Sequence, residues 1–219
     1  MGAGDRAAEQ AHRHRSRVQR LEQQLARAQA AERAWDAGAA GERLVAETLE
    51  SARSSGWHVL HDLAWPGRPR ANIDHIAVGP AGVLVVDAKN WSGRVTMTSG
   101  LLRQNGRRRE REVEGVLAAS IAVANLMEAR HAALVTPVLC LAGSASDLAP
   151  QSAWAVTVVG RDRLPDLLGV DPHPAWGSPH EPQAVAGYLA EALHARPPAT
   201  RALPGPPTGR RGSRHAHPV

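Results

Sequence analysis

The 219-residue sequence has little cysteine and few aromatic residues, and both shortages exclude classes of protein. Its single cysteine, Cys140, excludes an intrachain disulfide and a zinc site built on cysteines, so we expect a small buried core residue there. Aromatic residues make up 3% of the chain, which argues against a protein that binds single strands by base stacking.

Long apolar runs are also missing. No uncharged apolar run approaches the roughly 20 residues that span a bilayer. The first 17 residues are polar and contain no apolar leader segment. The sequence therefore predicts a cytoplasmic protein without a membrane partner.

Lysine is nearly absent, because Lys89 is the only one and every other strong base is an arginine. Arginine serves wherever a generic positive charge suffices, whereas lysine offers a compact ammonium with a tunable pKa. Lys89 is therefore a candidate for chemistry. The competing interpretation is a lysine at a strand end, whose stem packs on apolar surface beside a solvated Asp87.

Charge is distributed unevenly along the chain and suggests three parts. Residues 1–36 hold seven Arg and five acids, residues 37–195 hold 14 bases and 16 acids, and residues 196–219 hold five Arg and no acid. We interpret these parts as an N-terminal helix, one globular domain, and a disordered basic tail too rich in Pro, Gly and Arg to form a core. The net charge of +5 belongs mostly to the tail.

The N-terminal helix carries a thin apolar stripe at helical spacing, formed by Val18, Leu21 and Leu25. Such a stripe favours homo-oligomers that associate through this helix, and the alternative is a solvated surface helix. Gly38 and Gly41 predict that the helix ends there and that a second one starts at about Glu42. An acid in a first turn either complements the helix dipole or serves the function.

Two apolar strands, residues 72–79 and 82–89, flank the tight turn GPAG and predict an antiparallel hairpin. Asp74 lies early on the first strand, whereas Asp87 and Lys89 lie late on the second, so these groups converge at one end. Side chains two residues apart on a strand share a face. Charges in apolar surroundings need a partner or a metal, and two carboxylates suit Mg²⁺ or Mn²⁺.

Three strings in the chain together resemble the nuclease-related domain (NERD): GE at 41–42, NIDHI at 72–76 and GVLVVDAKNWSG at 82–93. That family belongs to the PD-(D/E)xK superfamily, and the resemblance covers roughly residues 37–130. It implies an α/β fold with a restriction-endonuclease-like core, in which helices flank a mixed central sheet. The N-terminal helix would be an addition to that core.

The resemblance implies a metal-dependent nuclease, a hydrolase acting on nucleic acid, with DNA as the expected partner. Asp74, Asp87 and the backbone carbonyl of Ala88 would bind Mg²⁺ or Mn²⁺. Lys89 would orient water or stabilise developing charge, and Glu42 would assist. The expected nucleic-acid-binding residues are arginines near these strands, unless they are merely solvated: Arg68, Arg70, Arg103, Arg107, Arg108 and Arg109.

Two other interpretations stay open. The same fold could serve as a non-catalytic module that binds nucleic acid or a protein, with the tail supplying most of the affinity. Alternatively, Asp87 and Lys89 could form a buried ion pair that only fixes the sheet, since such pairs give little net stability.

Overall fold

The computed structural model describes Gly2 and residues 4–193. The predicted disordered tail, residues 196–219, lies outside the described residues. The described part contains nine strands, which in chain order are β1 (His58–Ala64), β2 (Asn72–Gly79), β3 (Gly82–Lys89), β4 (Val95–Thr98), β5 (Leu101–Gln104), β6 (Arg107–Arg108), β7 (Val135–Leu141), β8 (Gln151–Ala153) and β9 (Val156–Gly160).

Six of these strands form one mixed sheet in the order β1-β2-β3-β7-β9-β8. β1, β2 and β3 are antiparallel to one another, whereas β7 lies parallel to both β3 and β9. A separate three-stranded sheet, β4-β5-β6, is inserted between β3 and β7. Its second turn is the Asn105-Gly106 pair, and both residues have positive φ, as a two-residue hairpin turn requires.

Helices cover both faces of the six-stranded sheet. They are α1 (Asp5–Glu50), α2 (Glu110–Ala124), the short α3 (Ala129–Ala132) and α4 (Glu181–Leu193), with 3₁₀ helices at Ser51–Ser55 and Arg161–Leu167. On one face the end of α1 packs against alternate residues of β3 such as Leu84 and Val86. On the other face α2 and α4 pack against Val83 and Val85. The predicted α/β fold with a mixed sheet between helices is confirmed and matches a restriction-endonuclease-like core.

The predicted break at residues 38–41 is wrong, because α1 is one helix of 46 residues. A glycine inside a helix costs only about 1 kcal/mol, so two of them do not force an end. Gly41 has a packing role instead: a Cβ there would lie 2.6 Å from the Cβ of Asn90, which follows β3. The helix thus comes close to the chain just beyond Lys89.

Only the last part of α1 is buried in the fold, at Gly41, Val45 and Leu49. The apolar stripe of Val18, Leu21 and Leu25 is more than half exposed. Self-association through this stripe stays a prediction. No helix among the described residues is long and apolar enough to cross a membrane.

Candidate metal-binding active site

The register of the β2–β3 hairpin places its two aspartates at the same level. His75 pairs with Val86 and Gly79 with Gly82, so one step beyond the last registered pair brings Asp74 opposite Asp87. Asp74 Oδ2 also accepts a hydrogen bond from the Ala88 backbone N–H at 2.9 Å. The convergence expected from the sequence is therefore present in the structure.

Lys89 joins the two carboxylates at this end of the hairpin. Its Nζ lies 2.5 Å from Asp87 Oδ2 as an ion pair, and it donates to the Ala88 carbonyl oxygen at 3.3 Å. Asp87 Oδ2 is buried, and the Lys89 amine is its ion-pair partner among the described residues. The charge of this one amine acts on both Asp87 and Asp74.

The electrostatics of the site show more negative charge than the chain itself balances. Burial, outweighing the attraction of Lys89, raises the pKa of Asp87 to about 6, and the charge of Asp74 adds to that rise. Burial also raises the pKa of Asp74. Burial disfavours the charged amine of Lys89, yet the carboxylates, Asp87 foremost, raise its pKa overall. Such a site favours a further cation.

Glu42 approaches the same end of the sheet from α1. Burial raises the pKa of Glu42, and the charges of Lys89, Asp62 and Asp87 all act on it. Since α1 has no N-terminus near this residue, the helix-dipole interpretation of Glu42 is wrong. Glu42 lines the cleft beside Asp74, and its functional role stays a prediction.

A cleft of about 500 Å³ opens between α1 and the beginning of β2. Asp74 and Glu42 both line it, together with residues of α1, β1 and the loop before β2: Trp35, Arg43, Ala46, His61, Asp62, Arg70, Asn72 and His75. Acids and arginines thus line the same opening, as a site for a phosphate with a cation would need.

Asp62 is a carboxylate that the sequence reasoning missed. In β1 the pairs His61–His75 and Leu63–Ile73 flank it, so its level in the sheet is that of Asp74 on the next strand. Its φ of 50° interrupts the ladder, and its Oδ1 accepts from Asn72 Nδ2 at 2.5 Å. An acid inside the apolar strand 58–64 was the available signal.

Two histidines link this cleft to α1. The Nδ1 atom of His75, the residue after Asp74, lies 2.8 Å from His61 Nδ1. His61 Nε2 lies 2.7 Å from Glu50 Oε1 on α1. Burial, with a contribution from His61, lowers the pKa of His75 to about 3, so this ring is neutral at pH 7.

The residues after Lys89 hold the site in place rather than line it. Asn90 Nδ2 donates to the Ala37 carbonyl of α1 at 2.8 Å, and the Trp91 carbonyl accepts from the Ser144 N–H at 3.0 Å. The Ser92 carbonyl accepts from Gln104 Nε2 at 2.8 Å. This segment therefore ties the end of β3 to α1, to the loop after β7 and to the small sheet.

The six predicted nucleic-acid-binding arginines do not gather at one place. Only Arg70 lines the cleft with Asp74, while Arg68 lies over the ring of Trp65 at 4.4 Å. Arg109 pairs with Glu112 at 2.9 Å and lies over Trp91 at 5.1 Å. The remaining three surround the turn of the small sheet: Arg103, Arg107 and Arg108.

The side chains suit a divalent ion of the Mg²⁺ type, since carboxylate and carbonyl oxygens are the ligands it prefers. Asp74, Asp87 and the Ala88 carbonyl are the groups that would hold it, and two carboxylates at the same level of the hairpin with a single amine to balance them support this fit. Among residues 4–193, no three His, Cys, Asp or Glu side chains are grouped so as to hold a metal by themselves. Water or substrate would have to complete the coordination.

This fold, with two aspartates and a lysine at the end of one hairpin, defines a restriction-endonuclease-like α/β domain. Comparison with known families specifies it further: residues 37–142 match the model of the nuclease-related domain, which confirms the resemblance of this segment to the NERD family. The match runs from within α1 to the end of β7 and includes Glu42, Asp74, Asp87 and Lys89. No curated protein and no solved structure matches the chain significantly.

Proposed function

We propose that this nuclease-related domain is a metal-dependent phosphodiesterase that cleaves nucleic acid, with DNA as the substrate. The observation that carries the proposal is the grouping of Asp74, Asp87 and Lys89, in which two half-buried carboxylates face each other beside one amine. The raised pKa values of both acids support a role in holding a cation.

A bound Mg²⁺ or Mn²⁺ would make nearby water more acidic and offset negative charge on the phosphate. Asp74 and Asp87 would hold that ion with the Ala88 carbonyl, and the hydrogen bond from the Ala88 N–H fixes the rotamer of Asp74. Lys89 keeps its proton, because its pKa is raised. It would therefore orient water or stabilise charge at the phosphate, not act as a base.

Glu42 has the chemistry for a proton acceptor at this site. Burial raises its pKa, and it lines the cleft together with Asp74. A carboxylate with a raised pKa takes a proton from water more readily than an ordinary one. Arg70, which lines the same cleft, would contact a phosphate of the bound strand.

The proposal is tested by incubating the full chain with linear, circular and single-stranded DNA and with RNA, in Mg²⁺, Mn²⁺ or EDTA. We expect cleavage that EDTA abolishes and that Asp74→Asn and Asp87→Asn each reduce about 100-fold or more. Asp166→Asn is the matched control, because Asp166 is an exposed acid that pairs with Arg163. Calorimetry with Mn²⁺ should show binding by the wild type and by Asp166→Asn only.

A non-catalytic binding module is the competing function. The absence of a three-side-chain metal group among residues 4–193 favours it. It predicts that DNA is retained in EDTA, is never cut, and is released when residues 196–219 are removed. Metal-independent retention without cleavage would therefore refute the phosphodiesterase.

A further inference from the structure

Trp35 differs in its surroundings from four of the other tryptophans. Trp57 and Trp176 are buried, and their ring N–H groups donate to Gly169 O and Pro80 O. Trp65 and Trp91 each lie beneath an arginine. Trp35 is 80% exposed, more than any other large apolar residue among those described as exposed.

The exposed ring lies at the proposed catalytic cleft. Trp35 precedes Glu42 by seven residues on α1, which is about two turns, so the two side chains share a helix face. Both residues line the cleft of about 500 Å³. With a rise of 1.5 Å per residue, their backbones are roughly 10 Å apart along the axis, the length of about three stacked nucleotides.

We infer that Trp35 is a stacking platform for an unpaired base and that the substrate is therefore a single strand or an overhanging end. This inference rests on the proposed function, because it assigns the substrate class of that site. In a continuous duplex each base face is covered by its neighbours, so only an unpaired or extruded base can stack on a side chain.

The low aromatic content does not oppose this inference. A protein that binds single strands by stacking alone needs several platforms, whereas a strand whose phosphates are held by Arg70 and a cation needs only one. Acids near Trp35 also make a phosphate contact there unfavourable: Glu32 and Asp36 line the same stretch of helix surface. An uncharged base fits that position better than a phosphate does.

A second copy of the chain is the alternative occupant of the Trp35 ring. The positions 18, 21, 25, 28, 32 and 35 follow a heptad spacing, so an oligomer through the stripe of Val18, Leu21 and Leu25 would continue to Trp35. The test must therefore separate base stacking from oligomerisation.

The test measures binding of a fluorescein-labelled single-stranded 12-mer and of the blunt duplex of the same sequence to the full chain. Ca²⁺ replaces Mg²⁺ so that the strands stay intact. The variants are Trp35→Ala, Trp35→Phe, Trp35→Leu and, as the matched control, Trp154→Ala. Trp154 is also exposed, at 58%, but lies in the turn between β8 and β9, away from the cleft.

We expect Trp35→Ala to lower the affinity for the single strand relative to the duplex by roughly 5- to 150-fold, the range for loss of one stacked base. Trp35→Phe should restore most of that ratio, whereas Trp35→Leu, which is apolar but has no aromatic face, should not. Trp154→Ala should leave the ratio as in the wild type. An unchanged ratio in Trp35→Ala, or full rescue by leucine, would overturn the inference.

Light scattering on the same samples tests the alternative, in which a second copy of the chain and not a base covers the Trp35 ring. If Trp35→Ala converts an oligomer into a monomer and the double variant Leu21→Glu/Leu25→Glu lowers the affinity ratio equally, the ring serves the oligomer and the platform is refuted.

Cleavage of the same DNA in Mn²⁺ separates the two proposals. Cleavage with an unaffected ratio refutes only the platform, and a Trp35-dependent ratio without cleavage refutes only the phosphodiesterase.

Discussion

The two ends of the β2–β3 hairpin have opposite chemistry. At the turn, Gly79 and Gly82 pair beneath the buried Trp57, and the neighbouring Val78 and Val83 are fully buried. At the open end the facing residues are two aspartates, with a lysine beside them. The turn end stabilises the fold, whereas the open end holds charge that burial disfavours. Packing at the turn end thus contributes stability that offsets the burial of charge at the open end, where the chemistry is proposed.

The comparison is tested most strongly by removing the amine at the open end. Lys89→Met should reduce DNA cleavage by about 100- to 10,000-fold, because the charge at the phosphate then lacks its preorganised partner. Cleavage rates in Mn²⁺ under single-turnover conditions measure this effect. Arg163→Met, which removes a cation from an exposed pair with Asp166, is the control and should cleave normally. Cleavage by Lys89→Met within threefold of wild type would favour the ion pair that only fixes the sheet.

At the turn end the expected effect is on stability. In Gly79→Ala the new Cβ would lie 2.2 Å from the ring of Trp57, which is buried and cannot move away. We expect a loss of about 3 kcal/mol in the free energy of unfolding, as in overpacked cores, measured by urea denaturation. Gly38→Ala is the control, since nothing lies within 4 Å of its Cβ and a helical alanine should stabilise by up to about 1 kcal/mol. Equal stability of the two variants would contradict the packing assigned to Gly79.

Neutralising one acid at the open end should stabilise the protein when no divalent ion is present. The folded state raises the pKa of Asp87 from 3.8 to about 6, so ionised Asp87 destabilises the fold above that pH. Asp87→Asn should therefore raise the free energy of unfolding in EDTA at pH 7.5 by roughly 1–3 kcal/mol. The same variant should lose any increase in melting temperature that Mn²⁺ gives the wild type. A variant less stable than wild type in EDTA would show that pairing with Lys89 outweighs burial.

The smallest expected effect concerns an acid outside the hairpin. Hydrogen bonds from Arg53, and secondarily the His61 contact, lower the pKa of Glu50 to about 2. A depressed pKa contributes stability at neutral pH that is lost as the pH falls from about 4.5 to 2. Because Glu50 is 38% exposed, solvent screening limits the contribution to roughly 0.5 kcal/mol. Glu50→Gln should show that loss at pH 7 and only a small part of it at pH 2.5 in thermal unfolding. Equal losses at both pH values would assign the effect to packing instead.

Local patterns in the sequence were sufficient to predict the hairpin. The two apolar strands, the turn between them and the positions of Asp74, Asp87 and Lys89 follow from alternation and chain direction alone. The course of α1 could not be predicted in the same way. A glycine such as Gly41 is typical of a helix end. Its actual role, close packing against Asn90, involves a residue 49 positions later in the chain and so leaves no local signal. Asp62 was missed for a related reason, because its level beside Asp74 depends on the pairing of β1 with β2.

The unbroken course of α1 has a mechanical consequence. Residues 42–49 pack on the core, and the preceding 37 residues of the helix extend the same rod over roughly 55 Å. A stiff rod without a hinge acts as a lever. Any torque on its free arm, whether from a second chain or from an attached domain, is therefore transmitted to the helix face that presents Glu42 and Trp35.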